Sequence, residues 1–440
     1  MNRSGEPPSR ASRSWRATSD EHPARRDRAV RVRLHREDTP AVSPAGAAGQ
    51  EATTRALVRA EGLRLALVSD TWGPQVNGVT RTLERLAQTV RDRGGAVEVF
   101  TTSDPGASEE AGVHRADSLP LWLYPQLRVA PPRPRPLIRA MRAWGATLVH
   151  AATPFGMGVG GRAAARALGL PLVTSYHTHF GAYLPHYALG AATGMLERYL
   201  RWFHNGGRRT YCPTQAVARE LEGRGFANAA VWGRGVDADR FSPAWRTGAI
   251  RQLHGGRDNE LLVAYVGRVA REKGIDELLD AMQLLHALPD APPCRLLVVG
   301  DGPHLAACRA REVPRVTFTG RASGETLARL YASADLFVFP STTDTFGNVT
   351  LEAMASGLPV VAAECAVTRE LLPAGAGSFY AAGDTRALAA HIARWGRDPA
   401  LRIAAGRNGR EAALGRSWAR VFDDLLTDYS AVLADRGAIP

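Results

Sequence analysis

An apolar run, Leu336-Phe337-Val338-Phe339-Pro340, leads into a polar stretch that begins at Ser341 and then into a segment closed by Gly357 and Pro359. A buried strand, a polar loop and a helix N-terminus in that order constrain the fold more than any other feature of the chain. In an open α/β sheet, ligands collect beyond the carboxyl ends of the strands, and the unpaired N–H groups of a helix start favour anions. Asp344 lies in the loop, Phe346-Gly347-Asn348 marks the turn, and Glu352 is expected about two turns into the helix. Two carboxylates so placed can accept hydrogen bonds from hydroxyls on two parts of one ligand while the Gly347-Asn348 backbone donates to it. A solvated Asp and a Glu on an exposed helix face are the plainer alternative.

The same alternation of strand and helix recurs along the chain. Leu63 to Ser69 reads as a first strand, followed by helical spacing at Val79, Leu83, Leu86 and Val90, with Asn77 able to cap that helix and Gly78 able to admit an anion close to the backbone. Further strands are expected at Val97 to Thr102, Thr147 to Ala151, Leu172 to His179, Leu261 to Val266, Arg295 to Val299, Val316 to Thr319, Leu336 to Phe339 and Pro359 to Ala363. The class is therefore α/β. From Pro136 onward a short basic amphipathic helix fits either an anchor on anionic lipid or a packing helix with snorkelling arginines. Residues 1 to about 60 are polar, show no periodicity and are expected to be disordered.

Several local patterns admit a bland reading beside a sharper one. Gly156 to Gly161 satisfies G-x-G-x-x-G, but no acid follows before Glu197 to take a ribose hydroxyl, so these glycines are expected to pack a helix on the sheet, and a dehydrogenase is rejected. His177 and His179 spell H-x-H, with His186 beyond, yet no fitting carboxylate or Cys lies nearby in sequence to complete a zinc site. Asp237-Ala238-Asp239 is a D-x-D triplet in a linker-like segment and is read as coincidence. Gly267 to Gly274 places Arg268 and Lys273 beside Glu272, which alone suggests a surface ion-pair cluster. Gly300-Asp301-Gly302-Pro303 is read as a structural turn.

At 440 residues and 45% hydrophobic content the chain has room for two domains. Its four cysteines form no C-x-x-C, as expected of free thiols in a reducing compartment. No apolar run reaches eighteen residues, so a soluble or peripheral, cytoplasmic protein is expected. The net charge of +12 is compatible with a nucleic-acid or membrane partner, but acids interrupt the basic residues of the N-terminal arm, and nucleic acid is not expected.

Taken together, Asn77-Gly78, Tyr176-His177-Thr178-His179, Gly235-Val236-Asp237, Arg268 to Gly274 and the acid pair Asp344 and Glu352 resemble, in order, the motifs of retaining GT-B glycosyltransferases of the E-x7-E, family 4 type. Asp344 stands where that family usually has Glu, one methylene shorter. The resemblance covers about residues 63 to 430 and is nearest to lipid mannosyltransferases and sulfoquinovosyltransferase-like enzymes. It implies two Rossmann-like domains facing across a cleft, at 61–240 and 241–415, with a C-terminal helix within 416–440 returning to the first domain. It also implies a donor site of Gly78, Arg268, Lys273, Phe346, Gly347, Asn348, Val349 and Glu352, and a catalytic set of His177, Asp344, Arg268 and Lys273. Transfer of a hexose, mannose favoured, from a nucleotide diphosphate sugar such as GDP-mannose to a lipid or glycan hydroxyl would follow, with no metal or other cofactor. The shortened acid leaves open a nucleotide-sugar epimerase or a catalytically altered sugar-nucleotide-binding protein.

Overall fold

The computed structural model describes residues 57–75, 77–121, 124–177, 193–254, 256–257 and 259–435. Most of the expected N-terminal extension, and His179 and His186, lie outside them. Residues before 61 already belong to the first domain: Val58 N–H donates to Asp423 Oδ1 at 3.0 Å and Ala60 N–H to the Arg93 carbonyl at 2.9 Å.

The chain between them forms two parallel sheets. The first contains β1 (Arg64–Val68), β2 (Ala96–Thr102) and β3 (Val113–Ala116). After a short antiparallel ribbon of β4 (Leu119–Leu121) and β5 (Tyr124–Val129), it continues with β6 (Leu148–Ala151), β7 (Leu172–Ser175), β8 (Arg209–Cys212) and β9 (Ala229–Val231). The second contains β10 (Leu261–Val266), β11 (Cys294–Val299), β12 (Val316–Gly320), β13 (Leu336–Phe339), β14 (Val360–Ala363) and β15 (Gly377–Tyr380). The orders are 3-2-1-6-7-8-9 and 12-11-10-13-14-15. Each order therefore reverses direction once, between β1 and β6 and between β10 and β13, and such reversals open the crevice in which ligands bind. Strands covered on both faces read as unbroken apolar runs, as β10 and β13 do, both buried throughout.

Glycine brings helix and sheet together at the G-x-G-x-x-G segment, as expected of packing glycines. A Cβ on Gly161 would meet Val68 Cγ2 at 3.0 Å, and one on Gly158 would fall 1.8 Å from the Thr153 carbonyl oxygen. The Gly300-Asp301-Gly302 turn is equally tight, with a Cβ on Gly300 falling 1.8 Å from the Gly267 carbonyl oxygen. These glycines serve close packing between neighbouring strand ends.

The chain crosses between the sheets twice, side by side. Val236 pairs with Ser417, and its N–H donates to the Arg416 carbonyl at 3.0 Å. Beyond Ser417 the helix Trp418–Ala434 returns to the first sheet, burying Phe422, Leu425, Leu426, Tyr429 and Val432 in one core with Leu65, Leu67 and Trp232. Its polar ties are specific: Tyr429 hydroxyl to His150 Nδ1 at 2.5 Å, Tyr211 hydroxyl to Asp428 Oδ2 at 2.6 Å, and an Arg93–Asp423 ion pair. The hinge is thus double-stranded. No helix of the described residues is long and apolar enough to cross a membrane.

Candidate active site

The two loops singled out in the second half follow β10 and β13, the neighbours on either side of the strand-order reversal. Their contacts knit them together. Lys273 Nζ lies 2.9 Å from Asp344 Oδ2, and Thr343 hydroxyl donates to the Glu272 carbonyl at 3.1 Å. Lys273 therefore reaches across to the other loop's acid, unlike the local cluster with Glu272 that spacing alone suggests. Gly274 makes the approach possible: it adopts a φ of 69°, and a Cβ there would fall 2.5 Å from the Pro340 carbonyl oxygen. Arg268 stands at the end of β10, and its carbonyl accepts from the Tyr265 hydroxyl at 2.8 Å.

The helix Asn348–Ala355 begins later than the sequence suggests, so Glu352 lies just over one turn into it, not two. The delay comes from Gly347, whose φ of 84° turns the loop into the helix without a side-chain cap and leaves the first helical N–H groups available to a ligand. Phe346 is buried in the core of the second sheet, so only its backbone can meet a donor. Val349 packs against that core, and its carbonyl accepts from the fully buried Tyr331 hydroxyl at 3.2 Å. The same hydroxyl donates to Glu352 Oε2 at 3.0 Å. Burial pushes the Glu352 carboxyl up to about 7, against the opposing influence of Tyr331, Arg81, Arg240 and Arg85.

From the first sheet, the β1 loop supplies Gly78. Asn77 Oδ1 accepts from Thr80 N–H at 2.9 Å, capping the helix Gly78–Asp92 as its residue type predicts. A Cβ on Gly78 would sit 3.7 Å from Asn348 Nδ2, so the glycine faces the start of the opposing helix. Asp70, at the end of β1, accepts from Met157 N–H at 2.9 Å and Thr153 hydroxyl at 2.7 Å, tying this loop to the helix Gly156–Leu168. Burial raises its carboxyl to about 6 despite those donors.

His177 completes the constellation. The strand expected to reach His179 ends at Ser175. Thr345 hydroxyl donates to the His177 carbonyl at 3.1 Å, and Arg234 Nη2 lies 2.8 Å from Nδ1. The first of these contacts closes the second sheet's loop directly on the first. Gly78, His177, Lys273, Asp344, Asn348 and Glu352 thereby gather at the facing strand ends. Spacing gave no sign of Arg234, Tyr331 or Thr345; the glycines flanking Arg234 were the available signal for it.

Three other features are accounted for locally. Asp237 of the D-x-D triplet accepts from Arg240 N–H at 3.1 Å, capping its own turn. Asp276, His304 and Cys308 are close enough to share an ion, but Asp276 is already met by His304 Nε2 at 2.8 Å and Arg311 Nη1 at 3.5 Å. A cavity of about 520 Å³ lined by Arg246, Arg251, Glu260 and Asp335 lies at the opposite, amino end of β10, where the arginines are paired with Asp335.

Residues 76–240 match the model of Glycosyltransferase Family 4, and residues 260–398 that of Glycosyl transferases group 1. The chain is 33% identical to a GDP-mannose-dependent alpha-mannosyltransferase of Mycobacterium tuberculosis, over 85% of this chain and 98% of that one. It is 31% identical to the sulfoquinovosyl transferase SQD2 of Arabidopsis thaliana, over 81% and 71%. Among solved structures, the sucrose-phosphate synthase of Thermosynechococcus elongatus superposes with a TM-score of 0.67 at 21% identity, covering 84% of this chain and 99% of that one.

Proposed function

Because the chain belongs to the family 4 glycosyltransferases of GT-B fold, we propose that it moves mannose from GDP-mannose to a hydroxyl of a lipid or glycan, with retention of configuration and without a metal ion. The Lys273–Asp344 pair, set at the facing strand ends with Gly78 and His177, carries this reading.

The donor is gripped mainly by the second domain. Glu352 accepts from the ribose hydroxyls, and Asp344, at the loop facing His177, accepts from hydroxyls of the sugar. Departure of the diphosphate builds negative charge, which Arg268, Lys273 and the N–H groups after Gly347 neutralise as fixed groups needing little reorganisation. The anomeric carbon becomes oxocarbenium-like, and a leaving phosphate oxygen accepts the proton of the acceptor hydroxyl on the same face. The C1–O bond to phosphate breaks as the bond to the acceptor oxygen forms on the side it left, which retains configuration. His177 steadies the sugar, and the Thr345 contact closes the site against water.

A lipid acceptor is favoured by the first domain's charge. No Asp or Glu occurs between Asp117 and Glu197, and Arg135, Arg139 and Arg142 are exposed along one stripe of the helix Pro134–Trp144, with no carboxylate partner among the described residues. Trp202, 47% exposed, lies under the Arg162 guanidinium at 4.2 Å on the neighbouring surface. Basic and aromatic groups together suit an anionic bilayer surface. Such contact would place the enzyme peripherally on the cytoplasmic membrane face.

The test supplies GDP-mannose or UDP-glucose to the purified protein with vesicles holding a lipid acceptor, and resolves the product's anomeric configuration by NMR. An α-mannosyl lipid, formed faster on anionic than on zwitterionic vesicles, is expected. A β-linked product would end the retention proposal, and conversion of the sugar nucleotide without acceptor would identify an epimerase.

A further inference from the structure

We propose that Arg234 is a positioning residue that fixes His177 as its Nε2–H tautomer and so decides which ring atom meets the transferred sugar. The inference rests on the reading above in one respect, that His177 faces the donor.

The geometry carries the tautomer. Arg234 Nη2 lies 2.8 Å from His177 Nδ1, and a guanidinium can only donate. Nδ1 must therefore present its lone pair, and the one proton of a neutral ring sits on Nε2. His177 Nε2 is buried and has no hydrogen-bond partner among the described residues. A buried N–H without an acceptor is costly and rare, and one at the seam between two domains is a donor held for an oxygen that arrives with substrate.

Arg234 is itself rigidly placed. Its Nη1 donates to the carbonyls of Trp232 at 2.9 Å and Gly233 at 3.0 Å, and the guanidinium stacks over the Trp232 ring at 5.1 Å. Trp232 in turn packs against the His177 ring, with centroids 5.6 Å apart. Arg234 is buried and has no carboxylate within ion-pair distance among the described residues, an arrangement that stability alone does not favour. A second proton is disfavoured: burial first, then Arg234 of the linker, His150 of β6 and His204 of the helix Thr193–His204, all hold the ring well below the usual histidine range.

Histidine labelled with 15N in the full chain reports the tautomer directly, His177 being assigned by its loss in His177→Gln. We expect a neutral Nε2–H ring from pH 6 to 8. In Arg234→Met the ring is expected to mix tautomers and titrate nearer the ordinary range, with kcat falling about tenfold for one lost hydrogen bond and donor KM little changed. Arg234→Lys, which restores a single donor, should recover the tautomer and part of kcat. A wild-type ring protonated on Nδ1 overturns the proposal even if the variants fail to fold, as does an Arg234→Met protein that keeps both tautomer and rate. An Nε2–H ring in a protein that transfers no sugar would sink the functional reading and leave the lock standing.

Discussion

Lys273→Ala is expected to lower kcat by about 10²- to 10³-fold, the size of effect seen when one fixed donor to a developing anion is removed. Two consequences of the geometry point the same way. The substitution deletes a cation that would meet the leaving diphosphate, and it frees Asp344, whose carboxylate now lies 2.9 Å from Lys273 Nζ, to repel that same anion. Lys273→Arg should recover little, because a planar fork on a longer stem does not reproduce a point charge in a gap this size. Some stability should be lost as well, because the pair is only 14% and 28% exposed and the substitution leaves the Asp344 carboxylate without its cation. Steady-state kinetics beside a thermal melt separate the two effects. Wild-type kcat in a folded Lys273→Ala protein would remove Lys273 from the chemistry.

Glu352→Gln is expected to raise donor KM by about 10²-fold, with a pH signature that a structural role would not produce. A carboxylate accepting from ribose hydroxyls makes charge-assisted bonds of roughly 1.5–3 kcal/mol each. In the ligand-free protein burial holds this carboxyl at about 7, whereas a donor bound through its ribose hydroxyls would select the charged form. Donor binding therefore expels a proton at pH below about 7, and wild-type affinity falls toward tenfold per unit as pH drops from there. Above that value it is flat, and Glu352→Gln should be flat throughout. The linkage to stability has the opposite sense. A raised carboxyl stabilises the ligand-free fold below its ordinary range and loses that contribution as pH rises to about 7, so the variant should melt no lower than wild type at pH 8. A pH-independent KM in the wild type would contradict the assignment.

The sheets were legible because buried parallel strands are continuous apolar runs. Leu261–Val266 and Leu336–Phe339 match their expected limits, and the helix Trp418–Ala434 shows its buried face as a spacing of Val421, Leu425 and Leu426. Short edge strands were not. Val113–Ala116 and Gly377–Tyr380 are only partly buried and carry Gly, His or Arg, so no apolar run marks them. Gly78, Lys273 and Asp344 were marked by the resemblance and not by spacing, which alone suggests a cap, a surface cluster and a solvated acid; the structure brings them to the facing strand ends. Partners that act through another residue left no such mark. Tyr331 looks like any core aromatic on a helix, and Arg234 meets His177 across 57 residues of sequence. Glu352 lies one turn into its helix and not two, because the left-handed Gly347 sets the helix start in a way that propensity does not register.

Side chains of the second domain, rather than a divalent ion, are proposed to neutralise the departing nucleotide. Transfer of mannose from GDP-mannose, followed by product formation after exhaustive dialysis against EDTA and again with added Mg²⁺ or Mn²⁺, tests it most directly. We expect the three rates to agree within about twofold, far short of the several kcal/mol that a metal Lewis acid supplies. Loss of turnover in chelator, restored by either ion, would contradict the account.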